Sequence, residues 1–463
     1  MERKNAWAAY AGDDGKVEAF AKAYCDFINN GKTERECVAY GEKLAKAHGF
    51  EDLNAVARSG KKLNAGARVY ANWMGKSFML FVLGEKPLEE GMNILGAHID
   101  SPRIDVKQNP LYEDTDLAYL DTHYYGGIKK YQWVAIPLAL HGVIVRKTGE
   151  KVIINIGEDE NDPVFCISDL LVHLAQEQMA KNAKEVVEGE ALNLIVGGRP
   201  LEGEEKDAVK ANVLKLLADK YGVEEEDFLS AELEIVPAGK ARDMGFDRSM
   251  ILGYGHDDRV CAYPSMMAVL DYEGTPEYTL CCIVTDKEEI GSVGATGMAS
   301  HYLENTVAEL YACTADYCEL AVRRCLRNSR MLSSDVSAGY DPNFASAFEK
   351  KNSAFLGRGI CFNKFTGSRG KSGSNDANPE FMASLRKIMD DAGVAFQTAE
   401  LGRVDLGGGG TIAYLCAKYG MNVIDSGIPV LSMHAPYEVI SKVDLYEGYR
   451  GYCAFLQGAK PVE

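Results

Sequence analysis

At 463 residues the chain is longer than one ordinary hydrophobic core accommodates, so two domains are expected. Hydrophobic residues make up 46% and charged residues 25%, the composition of a soluble globular protein rather than a disordered or fibrous one. Acidic residues outnumber basic ones 68 to 50, and the resulting formal charge of −18 argues against nucleic acid or an anionic membrane as partner.

The opening Met1-Glu2-Arg3-Lys4 lacks the apolar core of a secretory signal, and no apolar run approaches the ~18–20 residues of a membrane span. Twelve cysteines are scattered without a C-x-x-C pair, so they read as reduced, small core residues of a cytoplasmic protein. Residues 16–48 read as helices. Asn93 to Ala97 is a buried-strand pattern ending at His98. Similar short runs end at Asp286, at Ser334-Asp335 and at Ser426, with helix-like stretches over 294–304 and 410–419. Strands alternating with helices predict a mostly parallel sheet covered on both faces.

Between 105 and 244 the character changes. Tyr131 to Val145, Lys151 to Ile154 and Glu232 to Val236 read as strands of a separate sheet. Residues 202–228 read as an acidic amphipathic helix with Val209, Val213, Leu216 and Leu217 on its apolar side. The expected organisation is a catalytic domain formed by 1–104 and 245–463, interrupted by a smaller β-rich insertion over 105–244.

Four segments place acids or histidines just after an apolar strand. In Gly96-Ala97-His98-Ile99-Asp100-Ser101-Pro102, strand alternation sends His98 and Asp100 to one face. His98 is then expected to bind metal through one ring nitrogen while the Asp100 carboxylate holds the other ring N–H. In Gly255-His256-Asp257-Asp258-Arg259, adjacent carboxylates repel unless cations share the site, so one carboxylate bridging two metals would resolve the conflict. In Thr285-Asp286-Lys287-Glu288-Glu289-Ile290-Gly291-Ser292, Glu289 would ligate metal while Glu288 accepts a proton from an activated water. Ser333-Ser334-Asp335 and Met433-His434 each offer one further ligand. Taken singly, each has an ordinary reading as a turn, an acidic loop or a structural histidine. Together, two histidines and three carboxylates form a set suited to zinc, with cobalt or manganese as alternatives. They lie at strand C-terminal ends, where open α/β sheets carry their sites.

This ordered set resembles the aspartyl aminopeptidase family of dinuclear metallopeptidases. The family shows H-x-D-S-P, then an Asp-Asn or Asp-Asp step, then D-x-E-E-[VI]-G-S, then S-x-D, then M-H. All five occur here in order, and the likeness extends through Tyr125-Gly126-Gly127 and Val172-His173-Leu174-Ala175. The resemblance implies two divalent ions per subunit, held by His98, Asp257, Glu289, Asp335 and His434. Asp257 would bridge the ions and Glu288 would act as general base, with Asp100 completing the catalytic set. It implies a zinc-aminopeptidase-like α/β/α sandwich, a cis Asp257–Asp258 peptide, and an insertion serving dimerisation. It further implies dimers assembling into a tetrahedral dodecamer. Peptides would be the substrates, cut at the first bond by a hydroxide bridging the two ions.

Three departures leave the preference for an acidic N-terminal residue open. Asp257-Asp258 stands where the family often has Asp-Asn. Val336 to Asn343 lacks the histidines of well-studied members, and Ile128 to Trp133 diverges from them. Lys371 and Arg403 are the candidate cations for an acidic side chain. Gly407 to Gly410 offers backbone N–H groups or a plain helix entry. An amidase or deacylase, and a non-catalytic metal-retaining scaffold, are the competing functions.

Overall fold

The computed structural model describes residues 4–462, so Met1-Glu2-Arg3 and Glu463 lie outside it. The chain divides into two units, one formed by Met1–Asp100, Ala241–Met433 and Glu438–Glu463, the other by Ser101–Lys240 and His434–Tyr437.

The first unit is built on a nine-stranded sheet. Four neighbouring strands at its centre, Thr279–Thr285, Met92–His98, Arg330–Ser333 and Asn422–Gly427, run parallel to one another. They are apolar on both faces because both faces are covered. Alternate residues of Met92–His98 separate accordingly: Leu95 and Ala97 enter one core, Met92 and Ile94 the other. The first core is completed by Tyr24, Phe27, Met266, Phe381 and Phe455, and the second by Val56, Leu303, Leu310, Val322 and Cys416. This is the expected α/β/α sandwich. A smaller five-stranded sheet in the same unit joins Met250–Gly253 to Glu438–Ser441.

Helices Gly15–Asn30 and Glu34–Ala47 occupy the stretch expected to be helical. They are separated where Thr33 and Glu36 cap each other's backbone N–H groups. Helix His256–Leu270 carries Arg259, which is fully buried. Its guanidinium donates to the carbonyls of Ile99 (3.1 Å) and Lys32 (2.8 Å), fixing the chain just beyond His98.

The second unit holds a six-stranded sheet in which every neighbouring pair is antiparallel. Strands Leu138–Val145, Lys151–Ile156 and Ala231–Pro237 are among them. Among the described residues, no helix is long and apolar enough to cross a membrane.

Several expected elements differ. The helix expected over 294–304 is Tyr302–Thr314. Residues before it form turns, because Gly297 lies so close to Ser292 that a Cβ would sit 2.2 Å from its carbonyl oxygen. The 202–228 helix is confined to Ala208–Tyr221, ended by Gly222 in the left-handed conformation. Of its expected apolar side, Val209 is buried while Leu216 is exposed. The strand expected from Tyr131 begins only at Leu138, after Pro137, which has no N–H to donate. The helix expected over 410–419 spans Ala413–Ala417.

Replacing Arg259 by alanine removes the donor to two buried carbonyls and leaves its volume empty. We expect a loss of about 2–4 kcal/mol in urea unfolding; an unchanged midpoint and slope would remove Arg259 as a structural anchor.

Candidate metal centre

The ends of the parallel strands bring the sequence motifs together. Strand Met92–His98 ends on His98, whose side chain is 1% exposed. Strand Thr279–Thr285 is followed by Asp286 and then by the turn Glu288–Ile290. Lys287 and Gly291 flank that turn, both with positive φ. Strand Arg330–Ser333 leads to Asp335. Gly427 passes so close to Asp335 that a Cβ would meet its carbonyl oxygen at 1.8 Å, so only glycine fits there. Asp257 opens helix His256–Leu270, after Gly255 in the left-handed conformation, and the Asp257–Asp258 peptide is cis.

His98 is the hub. Its Nε2 lies 3.2 Å from Asp257 Oδ1, 3.9 Å from Glu288 Oε2 and 4.0 Å from Asp335 Oδ1. Ligand atoms of His98, Asp257 and Glu289 all fall within 4.8 Å of one another, and so do those of His98, Glu288 and Asp335. Asp257 is almost wholly buried, whereas the side chains of Glu288 and Asp335 are each 15% exposed and give the cluster its opening.

Asp100 meets His98 through two oxygens. The atom nearest His98 Nδ1 is the backbone oxygen of Asp100, at 3.0 Å, with the carboxylate Oδ1 at 3.3 Å. The carboxylate itself accepts from the backbone N–H groups of Glu288 and Glu289, each at 3.1 Å. One buried acid thus touches the histidine and grips the turn that carries both glutamates. Asp258 Oδ2 accepts from the His98 backbone N–H at 3.3 Å. Glu438, buried in strand Glu438–Ser441, accepts from the Asp257 N–H at 3.0 Å. Glu438 and Arg259 escaped the sequence reading. A lone acid in an apolar strand was the only available hint for Glu438.

His434 belongs to the second unit, where its Nδ1 is 2.9 Å from the Gly127 carbonyl oxygen. Lys371 and Arg403, with Arg369, Glu400 and Gly407, line a cavity of about 400 Å³ in the first unit. The Lys371 ammonium sits 3.0 Å from Asp376 and over the ring of Phe365.

The electrostatics of the hub suit a cation. Burial pushes the Asp335 carboxyl up, and Glu288, Asp257 and Asp258 add to it. Burial and Asp257 likewise push Asp258 up. Burial opposes charge on His98, but Asp100, Asp257 and Glu288 outweigh it and hold its pKa well above the usual range. His98 Nε2 makes no hydrogen bond among the described residues. An imidazole nitrogen facing several crowded carboxylates is the donor set of a zinc-type site, in which the cation replaces the protons.

A profile of the family described as "Aminopeptidase I zinc metalloprotease (M18)" matches residues 27–456. The chain belongs to the M18 family. This is the aspartyl aminopeptidase family, so the resemblance drawn from the motifs is borne out. A "Probable M18 family aminopeptidase 1" of Clostridium acetobutylicum is 58% identical over 459 residues, covering 98% of both chains. The Thermotoga maritima protein of the same description is 45% identical, covering 99% of both. The crystal structure of aminopeptidase I from Clostridium acetobutylicum superposes with a TM-score of 0.92 at 56% identity, over 98% of this chain and 99% of that one. This M18 chain is accordingly a metalloaminopeptidase, a hydrolase of a zinc-dependent family.

Because the site without cations holds protons tightly, zinc must expel them. Calorimetric titration of the metal-free protein with zinc at pH 7 should give different heats in buffers of high and low ionisation enthalpy. Identical heats in both would contradict the protonated cluster described here.

Proposed function

We propose that this M18 aminopeptidase removes the N-terminal residue of peptides with two divalent ions per subunit, zinc in the first instance. The carrying observation is the convergence of His98, Asp257, Glu288, Glu289 and Asp335, from separate segments of the chain, on one small acidic hub. In this reading His98, Asp257, Glu289 and Asp335 would hold the ions. His434 is assigned as a further ligand by the family resemblance alone. When bound, the ions would acidify a water and polarise the scissile carbonyl.

The chain's own residues do the rest. Glu288 is half-buried, and its carboxylate stands 3.9 Å from His98 Nε2. It accepts the proton of the attacking water and passes it to the departing amine nitrogen. Asp100 keeps Glu288 in place by accepting its backbone N–H, so the base does not drift into the ligand position of its neighbour. The acidic surroundings also favour a free, protonated α-amino group on the substrate over an acylated one, which makes the activity an exopeptidase. Arg369, Lys371 and Arg403 in the 400 Å³ cavity support an acidic first side chain. Asp376 already pairs with Lys371, and Glu400 shares the wall, so the preference is for acidic residues without exclusion of neutral ones.

Assembly into dimers and then a tetrahedral dodecamer is part of the same proposal, with the insertion as the dimerising element in a cytoplasmic enzyme. Supporting it, Val164, Leu171, Val172, Leu174 and Met179 are all more than half exposed within the insertion. A dodecamer is the state of yeast mApe1, which shares 21% identity and the fold.

Glu288→Gln should lower kcat by about 10³-fold or more with metal content unchanged; retained turnover would remove Glu288 as the base. The wild-type enzyme should cleave aminoacyl anilides and leave their N-acetylated counterparts intact; preference for the acylated series would favour the deacylase reading. Charging the exposed stretch with Val172→Glu and Leu174→Glu should reduce the sedimentation coefficient. A profile identical to wild type would separate this stretch from assembly.

A further inference from the structure

Two polar groups beside the hub have no part in the chemistry above. Asp425 lies in strand Asn422–Gly427, paired in register with Ser333, two residues before Asp335. It is 1% exposed. Its Oδ1 accepts from the Thr411 hydroxyl at 2.5 Å, while its Oδ2 has no hydrogen-bond partner among the described residues. Thr411 in turn accepts from the Ala413 N–H at 3.3 Å, at the entrance of helix Ala413–Ala417. Burial pushes the Asp425 carboxyl up to about 7, and the Thr411 hydroxyl pulls it back.

Thr411 also terminates the run Gly407–Gly410. That run has no side chains to pack, and glycine loses more conformational freedom on ordering than any other residue. It is held by backbone alone: Gly407 donates to Arg403 (2.8 Å) and Gly409 to Thr366 (3.2 Å). Gly408 lies so close to Ser368 that a Cβ would meet its Cα at 2.5 Å. Gly407 lines the cavity shared by Arg369, Lys371 and Arg403. A glycine run keeps one shape only if both of its ends are fixed. At the C-terminal end, the connection to the central sheet runs through the Thr411 hydroxyl to Asp425.

We propose that the Thr411–Asp425 hydrogen bond is a latch that holds the Gly407–Gly410 run, whose first residue lines the substrate pocket, making both Thr411 and Asp425 positioning residues for binding of the peptide's first side chain. The proposal rests on reading the cavity as that subsite. With the latch broken, the run and the pocket lining at Gly407 sample other shapes and substrate must select the competent one, so apparent affinity falls by the competent fraction. The cleavage step, which takes place at the hub, keeps its rate once substrate is bound.

The test uses the zinc-loaded full-length enzyme with aspartyl, glutamyl and leucyl anilides. Thr411→Val should raise KM about tenfold, with kcat within about twofold and zinc content as in wild type. Thr411→Ser, which keeps the hydroxyl, should restore KM. Hydrogen exchange over 405–412 should quicken in Thr411→Val and return to the wild-type rate in Thr411→Ser. Asp425→Ala combined with Thr411→Val should be no worse in KM than Asp425→Ala alone. Thr411→Val with wild-type KM and wild-type exchange would overturn the latch, as would a defect confined to kcat or zinc content. If wild type cleaved none of the anilides, the aminopeptidase reading would fall, and exchange over 405–412 would still decide whether the latch exists.

Discussion

Repulsion between buried carboxylates is the constraint on which the rest of this structure depends. Asp257, Asp258, Glu288 and Asp335 are brought around His98 at the ends of the parallel central strands, where withdrawal from water makes every like charge more costly. A fold without a use for cations would have placed apolar or neutral side chains there. The α/β/α sandwich accommodates the cluster because its central strands are committed on both faces to apolar packing. Their polar chemistry is therefore confined to the ends.

The scaffolding around the cluster is held mainly by backbone groups. Asp100 accepts two N–H groups from the Glu288–Ile290 turn, Asp258 accepts the N–H of His98, Glu438 accepts the N–H of Asp257, and Arg259 donates to the carbonyl of Ile99. The main chain at His98, Asp257, Glu288 and Glu289 is thereby fixed in place.

The strand ends at His98, Asp286 and Asp335 were legible because a strand buried on both sides reads as an uninterrupted apolar run, and the polar residue that stops it is conspicuous. The grip of Asp100 was not. Period-two alternation assigns a side chain to a face, but it does not reveal that a turn nearly two hundred residues later returns its amides to that face. The helix misplaced at 294–304 and the overlong one at 202–228 share a cause. Both patterns contain apolar residues at helical spacing, and both are overruled by glycines that a close contact or a left-handed cap demands. Arg259 carries no local signature and Glu438 only its place in an apolar strand, since their partners lie more than 150 residues away.

Strand order has a consequence for synthesis. Asn422–Gly427 lies between Arg330–Ser333 and Ile360–Asn363, inside the sheet rather than at its margin. The first unit therefore has a gap in the middle of its sheet until translation has passed Gly427. The antiparallel sheet of residues 101–240 has all its strands off the ribosome far sooner. A nascent chain can thus carry a finished interruption flanked by an unfinished host, with apolar strand edges waiting for their neighbour.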